Sequence, residues 1–163
     1  MLTLTIPGRE PLTLDHLVCD INGTLAEDGF LIDGAAGRLA QLAETLTIHL
    51  LTADTYGTLP TIVEQIRQAA ISVDATSPQV RRVETGEDKA RYVSELTPPA
   101  VVAIGNEAND EAMFQRVALS IGVIGREGAC MRTLLAAQII VTSPLDALDL
   151  LLSPKRLIAT LRA

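Results

Sequence analysis

Apolar and polar residues alternate through Leu2-Thr3-Leu4-Thr5-Ile6, turn residues follow at Pro7-Gly8-Arg9-Glu10, and Leu12-Thr13-Leu14 is extended again. That pattern predicts a hairpin over residues 1–15. His16-Leu17-Val18-Cys19-Asp20-Ile21 has the character of a buried strand and breaks off at Asn22-Gly23-Thr24. Similar runs recur at Thr47–Thr52, Ala100–Ile104, Leu119–Ile124 and Ile139–Thr142, with a weaker candidate third strand at Ile71-Ser72-Val73. Between them, Ala35–Glu44, Leu59–Ala70, Lys89–Leu96, Asp110–Val117 and Cys130–Ala136 have helical periodicity. Strands that alternate with single helices predict right-handed crossovers and a parallel sheet covered on both faces. The expectation is one three-layer α/β domain over residues 1–163, closed by a Leu-rich helical tail at 144–163 that breaks at Ser153-Pro154.

Composition narrows the function classes. Hydrophobic residues are 48% and charged residues 20%, so the chain is neither disordered nor of low complexity. Aromatic residues are only 2%, which argues against base stacking or an aromatic interface anchor. A net charge of −7 and a pI near 4.7 disfavour nucleic acid and anionic membranes, so any anion binding is expected to be local. The apolar runs reach about half a membrane span at most. Two cysteines, Cys19 and Cys130, do not make a disulfide framework, and no signal-peptide pattern opens the chain, so a cytoplasmic setting is expected.

In open parallel sheets, ligands bind beyond the carboxyl ends of the strands. Those ends are polar here: Asp20-Ile21-Asn22-Gly23-Thr24-Leu25, Leu51-Thr52-Ala53-Asp54-Thr55 and Gly105-Asn106-Glu107-Ala108-Asn109-Asp110, joined by Glu87-Asp88-Lys89 at a helix start. Taken singly, Asp20, Thr52 and Asn109-Asp110 read as turn formers or caps and Lys89 as a solvated charge. Their convergence on one edge makes a functional site the better reading. Cys19 alternates away from Asp20 toward the core, and His16 and His49 lack metal-ligand spacing and are read as structural.

These segments resemble the four motifs of the haloacid dehalogenase (HAD) superfamily: Asp-x-x-Gly-Thr-Leu after the first strand, a strand-terminal Thr, a helix-opening Lys and Gly-x-x-x-Asn-Asp. The resemblance runs from about Leu17 to Leu152 and is strongest to the phosphorylation domain of P-type ATPases and small soluble proteins similar to it, with Thr52-Ala53-Asp54 matching that branch's Thr-Gly-Asp. It implies a Rossmann-like, HAD-like fold and a phosphatase whose nucleophile is Asp20, forming an aspartyl phosphate. Asp20, Asn22, Thr52 and Lys89 would occupy the catalytic positions. Asn22, Gly23, Thr24, Thr52, Ala53 and Lys89 would hold the phosphoryl oxygens, in part through the main-chain N–H groups of the Asn22-Gly23-Thr24 turn. Mg²⁺ would be the cofactor, held by Asp20, the Asn22 carbonyl, Asn106 and Asp110.

Two positions depart from the pattern. Asn22 stands where phosphatases of the superfamily carry an Asp that protonates the leaving oxygen, and P-type ATPases likewise lack a carboxylate there. Asn106 stands where a metal-binding Asp is usual, and Glu107, in place of the usual Gly, has no assigned role. Losing two carboxylates weakens Mg²⁺ binding, since one charge pair at about 4 Å is worth roughly 4 kcal/mol at an effective dielectric near 20. The reading is therefore a phosphohydrolase for phosphorylated small molecules or phosphoproteins with good leaving groups. Its rivals are a sugar-phosphate phosphatase similar to the capless 3-deoxy-octulosonate 8-phosphate phosphatases, and a catalytically feeble phosphate-binding regulator.

Asp20 and Thr52 are 32 positions apart and Thr52 and Lys89 are 37 apart, both mostly filled by the elements already assigned. No cap domain is expected, only a small flap at Ala26–Leu31 around an Asp-Gly turn. An open site suits a bulky substrate, a partner that supplies a lid, or a homo-oligomer.

Overall fold

The computed structural model describes residues 1–162. β1 (Leu2–Leu4) and β2 (Leu12–Leu14) form the N-terminal hairpin, antiparallel with Leu2 opposite Leu14. Leu4 and Leu14 of this hairpin belong to the main core, so it packs as part of the fold.

Next come β3 (His16–Asp20), the short β4 (Ala26–Glu27) and β5 (Phe30–Leu31), α1 (Ala35–Leu42), β6 (Thr47–Thr52) and α2 (Leu59–Ser72). β7 (Gln79–Arg82), α3 (Gly86–Glu95), β8 (Val101–Gly105), α4 (Glu111–Phe114), β9 (Leu119–Val123), α5 (Met131–Ala136) and β10 (Ile139–Val141) complete the alternating part. α6 (Pro144–Leu152) and α7 (Pro154–Leu161) form the tail, divided at Ser153 as the Ser-Pro step predicts.

Six strands make one parallel sheet in the order β10-β9-β8-β3-β6-β7. β3 lies inside it between β6 and β8, which is why its interior is uniformly apolar: both faces are covered. Alternation along β3 sends Leu17 and Cys19 into the larger core and Val18 into the smaller one with Leu51, Val101, Ala103, Met113 and Phe114. α1, α2 and α6 pack together, as do α3, α4 and α5, giving the expected three layers. Only the β4–β5 flap and α1 lie between β3 and β6, and only α2 and β7 between β6 and α3, so neither cap position holds a domain.

The strand expected at Ile71-Ser72-Val73 does not form. Ile71 and Ser72 are the last residues of α2, and Val73 follows as its C-cap; Ile71 and Val73 are exposed. The third strand in chain order is instead β7, whose Gln79, Arg81 and Arg82 are exposed at the sheet edge. An edge strand with three polar side chains carries little apolar signal. The helix expected over Asp110–Val117 is shorter as well: a 3-10 turn at Ala108–Asp110 leads into the four-residue α4.

Candidate active site

Asp20 is the last residue of the central strand β3, and alternation turns it to the face that carries α3 and α4. Lys89 reaches it from the first turn of α3. That helix starts where it does because Thr85 and Asp88 cap it reciprocally: Thr85 Oγ1 accepts from Asp88 N at 3.1 Å and Asp88 Oδ2 accepts from Thr85 N at 3.1 Å. Lys89 is only 1% exposed, and its ammonium donates to Asp20 Oδ1 at 2.6 Å, Asn109 Oδ1 at 2.7 Å and Asp110 Oδ1 at 2.7 Å. An ammonium has three donors, and all three are used.

Asp110 is fixed by the loop after β8. Its Oδ2 accepts from the main-chain N–H groups of Asn106 and Glu107, both at 2.9 Å, while Oδ1 faces Lys89. The carboxyl folds back under Gly105, where a Cβ would run into it, so glycine is required at the end of this strand. Glu107 finds a place in the same loop: its Oε2 accepts from Asn109 Nδ2 at 2.9 Å, which orients the Asn109 amide so that Oδ1 meets Lys89. Asn109 and Glu107 were missed as site residues because an Asn-Asp pair before a helix looks like a cap.

Thr52 ends β6 beside Asp20. Its Oγ1 accepts from Asp54 N at 2.9 Å and from Asn22 Nδ2 at 3.3 Å. Ala53 follows at the exposed rim. Gly23 turns at φ +68, and a Cβ there would fall 2.7 Å from Asn106 Nδ2, so the first and fourth motifs touch through this glycine. The expected main-chain cradle is narrower than the sequence suggests. Gly23 N–H already donates to Ala26 O and Thr24 N–H to Ile21 O, because the turn closes on itself to launch the flap. Thr24 contributes its hydroxyl elsewhere, donating to Asn106 Oδ1 at 2.7 Å. The flap is present, and Glu127 Oε1 accepts from its Asp28 N–H at 2.8 Å. No sequence signal pointed to Glu127.

The electrostatics single out Asp20. Burial, with the Asp110 carboxylate adding to it, pushes its carboxyl up to about 8 against the pull of Lys89. Burial also opposes the charge on Lys89, but the carboxylates of Asp20 and Asp110 hold the ammonium above its usual range. Cys19 is inert by comparison: burial first, then Asp20 and Asp110, hold its thiol far above the ordinary value.

Among the described residues, Asp20 Oδ2 is the one buried side-chain oxygen or nitrogen without a hydrogen-bond partner. With two carboxyl groups to one ammonium, the cluster becomes net negative only when Asp20 ionises, which burial and Asp110 oppose. Both facts fit a hard cation at Oδ2, since Mg²⁺ takes oxygen ligands and keeps several waters. The side chains of Asn106 and Asp110 are already engaged: Asn106 Oδ1 with Thr24, Asn106 Nδ2 with Gly128 O at 3.1 Å, and Asp110 as described. No group of three or more His, Cys, Asp and Glu side chains able to hold a metal occurs among the described residues.

No family model matches the chain. An uncharacterized protein of Methanocaldococcus jannaschii is 50% identical over 62 residues, which is 38% of this chain and 67% of that protein. Among solved structures, the 3-deoxy-D-manno-octulosonate 8-phosphate phosphatase of Moraxella catarrhalis, in complex with magnesium, phosphate and the KDO molecule, superposes with a TM-score of 0.63 at 16% identity, covering 91% of this chain and 94% of that one. The cobalt-bound phosphatase of the same specificity from Haemophilus influenzae gives 0.63 at 10% identity, covering 88% and 90%. The catalytic domain of the CPx-ATPase CopB-B gives 0.50 at 18% identity over 79% of this chain and 46% of that one. The chain therefore belongs to one family with the archaeal protein, and it shares its fold with solved structures of putative haloacid dehalogenase family hydrolases.

Proposed function

We propose that the protein is a Mg²⁺-dependent phosphohydrolase that forms an aspartyl phosphate on Asp20 and favours phosphorylated small molecules with good leaving groups. One observation carries this reading: a buried carboxylate whose Oδ1 is held by Lys89 at 2.6 Å while Oδ2 has no partner. A buried acid at a strand end, left one contact short, is poised for a ligand rather than for packing.

Asp20 attacks phosphorus in line with the leaving oxygen. The bond from phosphorus to that oxygen breaks, and the electron pair leaves with it. Water then attacks the phosphorus of the acyl phosphate, releasing phosphate and the free Asp20 carboxylate, with the water proton passing to solvent. The Thr52 hydroxyl stabilises charge on the phosphoryl oxygens, as does the Lys89 ammonium once the hydrogen it gives to Asp20 Oδ1 turns to the phosphoryl group, while Asp110 and Asn109 keep its other two and hold it in place. Mg²⁺ supplies further charge neutralisation when bound. Asp20 Oδ2 and the Asn22 carbonyl would hold it directly, and Asn106 and Asp110 through water.

Asn22 cannot protonate a leaving group, which argues against a sugar-phosphate phosphatase despite the similar fold. The intact cluster of Asp20, Lys89 and Asp110 argues against a feeble binding protein. No helix of the described residues is long and apolar enough to cross a membrane, and both cysteines are free, which suits a reducing cytoplasm. The test is a phosphate-release screen over aryl, acyl, nucleotide and sugar phosphates with Mg²⁺ varied, run on wild type and Asp20→Asn. Turnover at background in the variant, with beryllium fluoride retained only by wild type, is expected. Substantial turnover by Asp20→Asn would refute the mechanism.

A further inference from the structure

The Asn22 amide lies against the Thr52 hydroxyl, the group that the phosphohydrolase reading assigns to a phosphoryl oxygen. Thr52 Oγ1 is buried at 1% exposure and accepts two hydrogen bonds, from Asp54 N at 2.9 Å and from Asn22 Nδ2 at 3.3 Å. A hydroxyl has two acceptor positions and one proton. Both acceptor positions are filled, and Thr52 Oγ1 donates to no atom among the described residues. Its proton is thus turned away from both neighbours.

The Asp54 donor is firmly set. Asp54 sits at φ +55, its Oδ1 accepts from Leu59 N at 3.0 Å, and its other oxygen pairs with Arg82 of β7, so the loop is braced from both α2 and the sheet edge. Asn22 is the second constraint, buried at 8% exposure two residues beyond Asp20.

We propose that Asn22 is a positioning residue: by donating to Thr52 Oγ1 it reserves the threonine proton for a phosphoryl oxygen, so that the site holds phosphate dianions tightly where an acidic residue would loosen its grip. This rests on the phosphohydrolase reading and deepens it. A carboxylate at position 22 has no hydrogen to give. It would face Oγ1 as an acceptor, draw the hydroxyl proton onto itself, and leave the phosphate one donor short. Asn22 thus exchanges general-acid capacity for phosphate retention.

The experiment measures binding of inorganic phosphate by calorimetry in the presence of Mg²⁺, for Asn22→Asp and Asn22→Leu, each made in the wild-type and Thr52→Val backgrounds. Loss of a hydrogen bond to a charged group corresponds to roughly 10-fold or more in affinity, so Thr52→Val alone weakens phosphate by about that factor. Asn22→Asp weakens it by about 30-fold with Thr52 present but only about 3-fold in the Thr52→Val background, where the added charge alone acts. Asn22→Leu frees the hydroxyl rotor and costs about 3-fold with Thr52 present and nothing in the Thr52→Val background. Thr52→Val leaves Asp54 N–H unpaired in both members of each comparison made in that background, so the effect cancels from the cost assigned to Asn22. Should Asn22→Asp not fold, the Asn22→Leu pair decides alone. Equal costs in both backgrounds would overturn the role of Asn22 and leave the phosphohydrolase reading standing. Failure of the wild-type protein to bind phosphate at all would overturn both.

Discussion

His49 and Asp20 lie on neighbouring strands of the same sheet, at 1% and 2% exposure, and burial acts on both by disfavouring charge. What surrounds them differs. His49 closes a neutral chain: its Nε2 meets His16 Nδ1 at 3.0 Å and its Nδ1 meets the Tyr92 hydroxyl at 2.8 Å, so both ring nitrogens are occupied. Asp20 belongs to a charged cluster with one ammonium for two carboxylates, and its Oδ2 is without a partner. A satisfied neutral network needs nothing further and specifies packing. A charged network short of one partner is complete only with a ligand. This contrast, more than burial or residue type, separates the structural pair from the candidate site.

The largest expected effect comes from breaking the charged cluster. Lys89→Met leaves Asp20 and Asp110 buried side by side without their cation, which should cost about 3–5 kcal/mol in stability. It should also lower kcat by about 10²- to 10³-fold, as loss of one transition-state donor typically does. Tyr92→Phe removes one hydrogen bond from the neutral chain and should cost about 1 kcal/mol with kcat unchanged. Urea melts and aryl-phosphate turnover on both variants measure the contrast. If the two cost the same stability and both spare turnover, the distinction between the clusters fails.

The two clusters were unequally legible in the sequence. Asp20, Thr52, Lys89 and Asp110 stood out because each ends a strand or opens a helix, and backbone periodicity alone brings such ends together. The five inner or apolar strands were visible for the same reason, as runs of Val, Ile and Leu. β7 was not, because at the edge its Arg81 and Arg82 face solvent and only register with β6 makes it a strand. Side-chain pairing was equally hidden. That Glu107 orients Asn109, or that Asn106 is engaged by Thr24, depends on rotamers and on loop closure across a sequence separation of 82 in the second case, which no local pattern records.

A smaller effect tests the missing acid. A positioned general acid is worth about 10²- to 10⁴-fold, most of it on leaving groups that would otherwise depart as basic alkoxides. Asn22→Asp supplies the acid while loosening phosphate for every substrate alike. The kcat/KM ratio of an alkyl phosphate to p-nitrophenyl phosphate cancels the common loss and should rise by about tenfold, toward the lower limit of such catalysis. An unchanged ratio would mean that position 22 does not face the leaving oxygen.

Asn106→Asp comes next. It adds a carboxylate near the proposed cation, but Thr24 already holds the side-chain oxygen and Gly128 O loses its amide donor. The half-saturating Mg²⁺ concentration should therefore fall by only about fivefold, near 1 kcal/mol, well below the roughly 4 kcal/mol of a direct charge contact. An unchanged or higher value would mean that Asn106 does not face the ion.

The smallest effect belongs to the neutral chain. Burial first, and the neighbouring His16 second, lower the pKa of His49 from 6.5 to about 4. Above pH 6.5 His49 is neutral folded or unfolded and contributes no pH dependence. Between 6.5 and about 4 the unfolded chain binds a proton that the folded protein refuses, so stability falls as the pH falls through this window. Below about 4 both states are protonated and this contribution levels off. His16 and Tyr92 are only half-buried, so solvent screens the imidazolium, and the loss should amount to about 1 kcal/mol or less. Carboxylates titrate nearby in pH, so the measurement is a difference: urea unfolding of wild type against His49→Gln at about pH 7.5, 5.5 and 4.5, one value above the window and two within it. The stability advantage of wild type should shrink as the pH is lowered. An advantage that grows on acidification would show that the folded chain stabilises the imidazolium, and His49 would then belong with the charged cluster rather than opposite it.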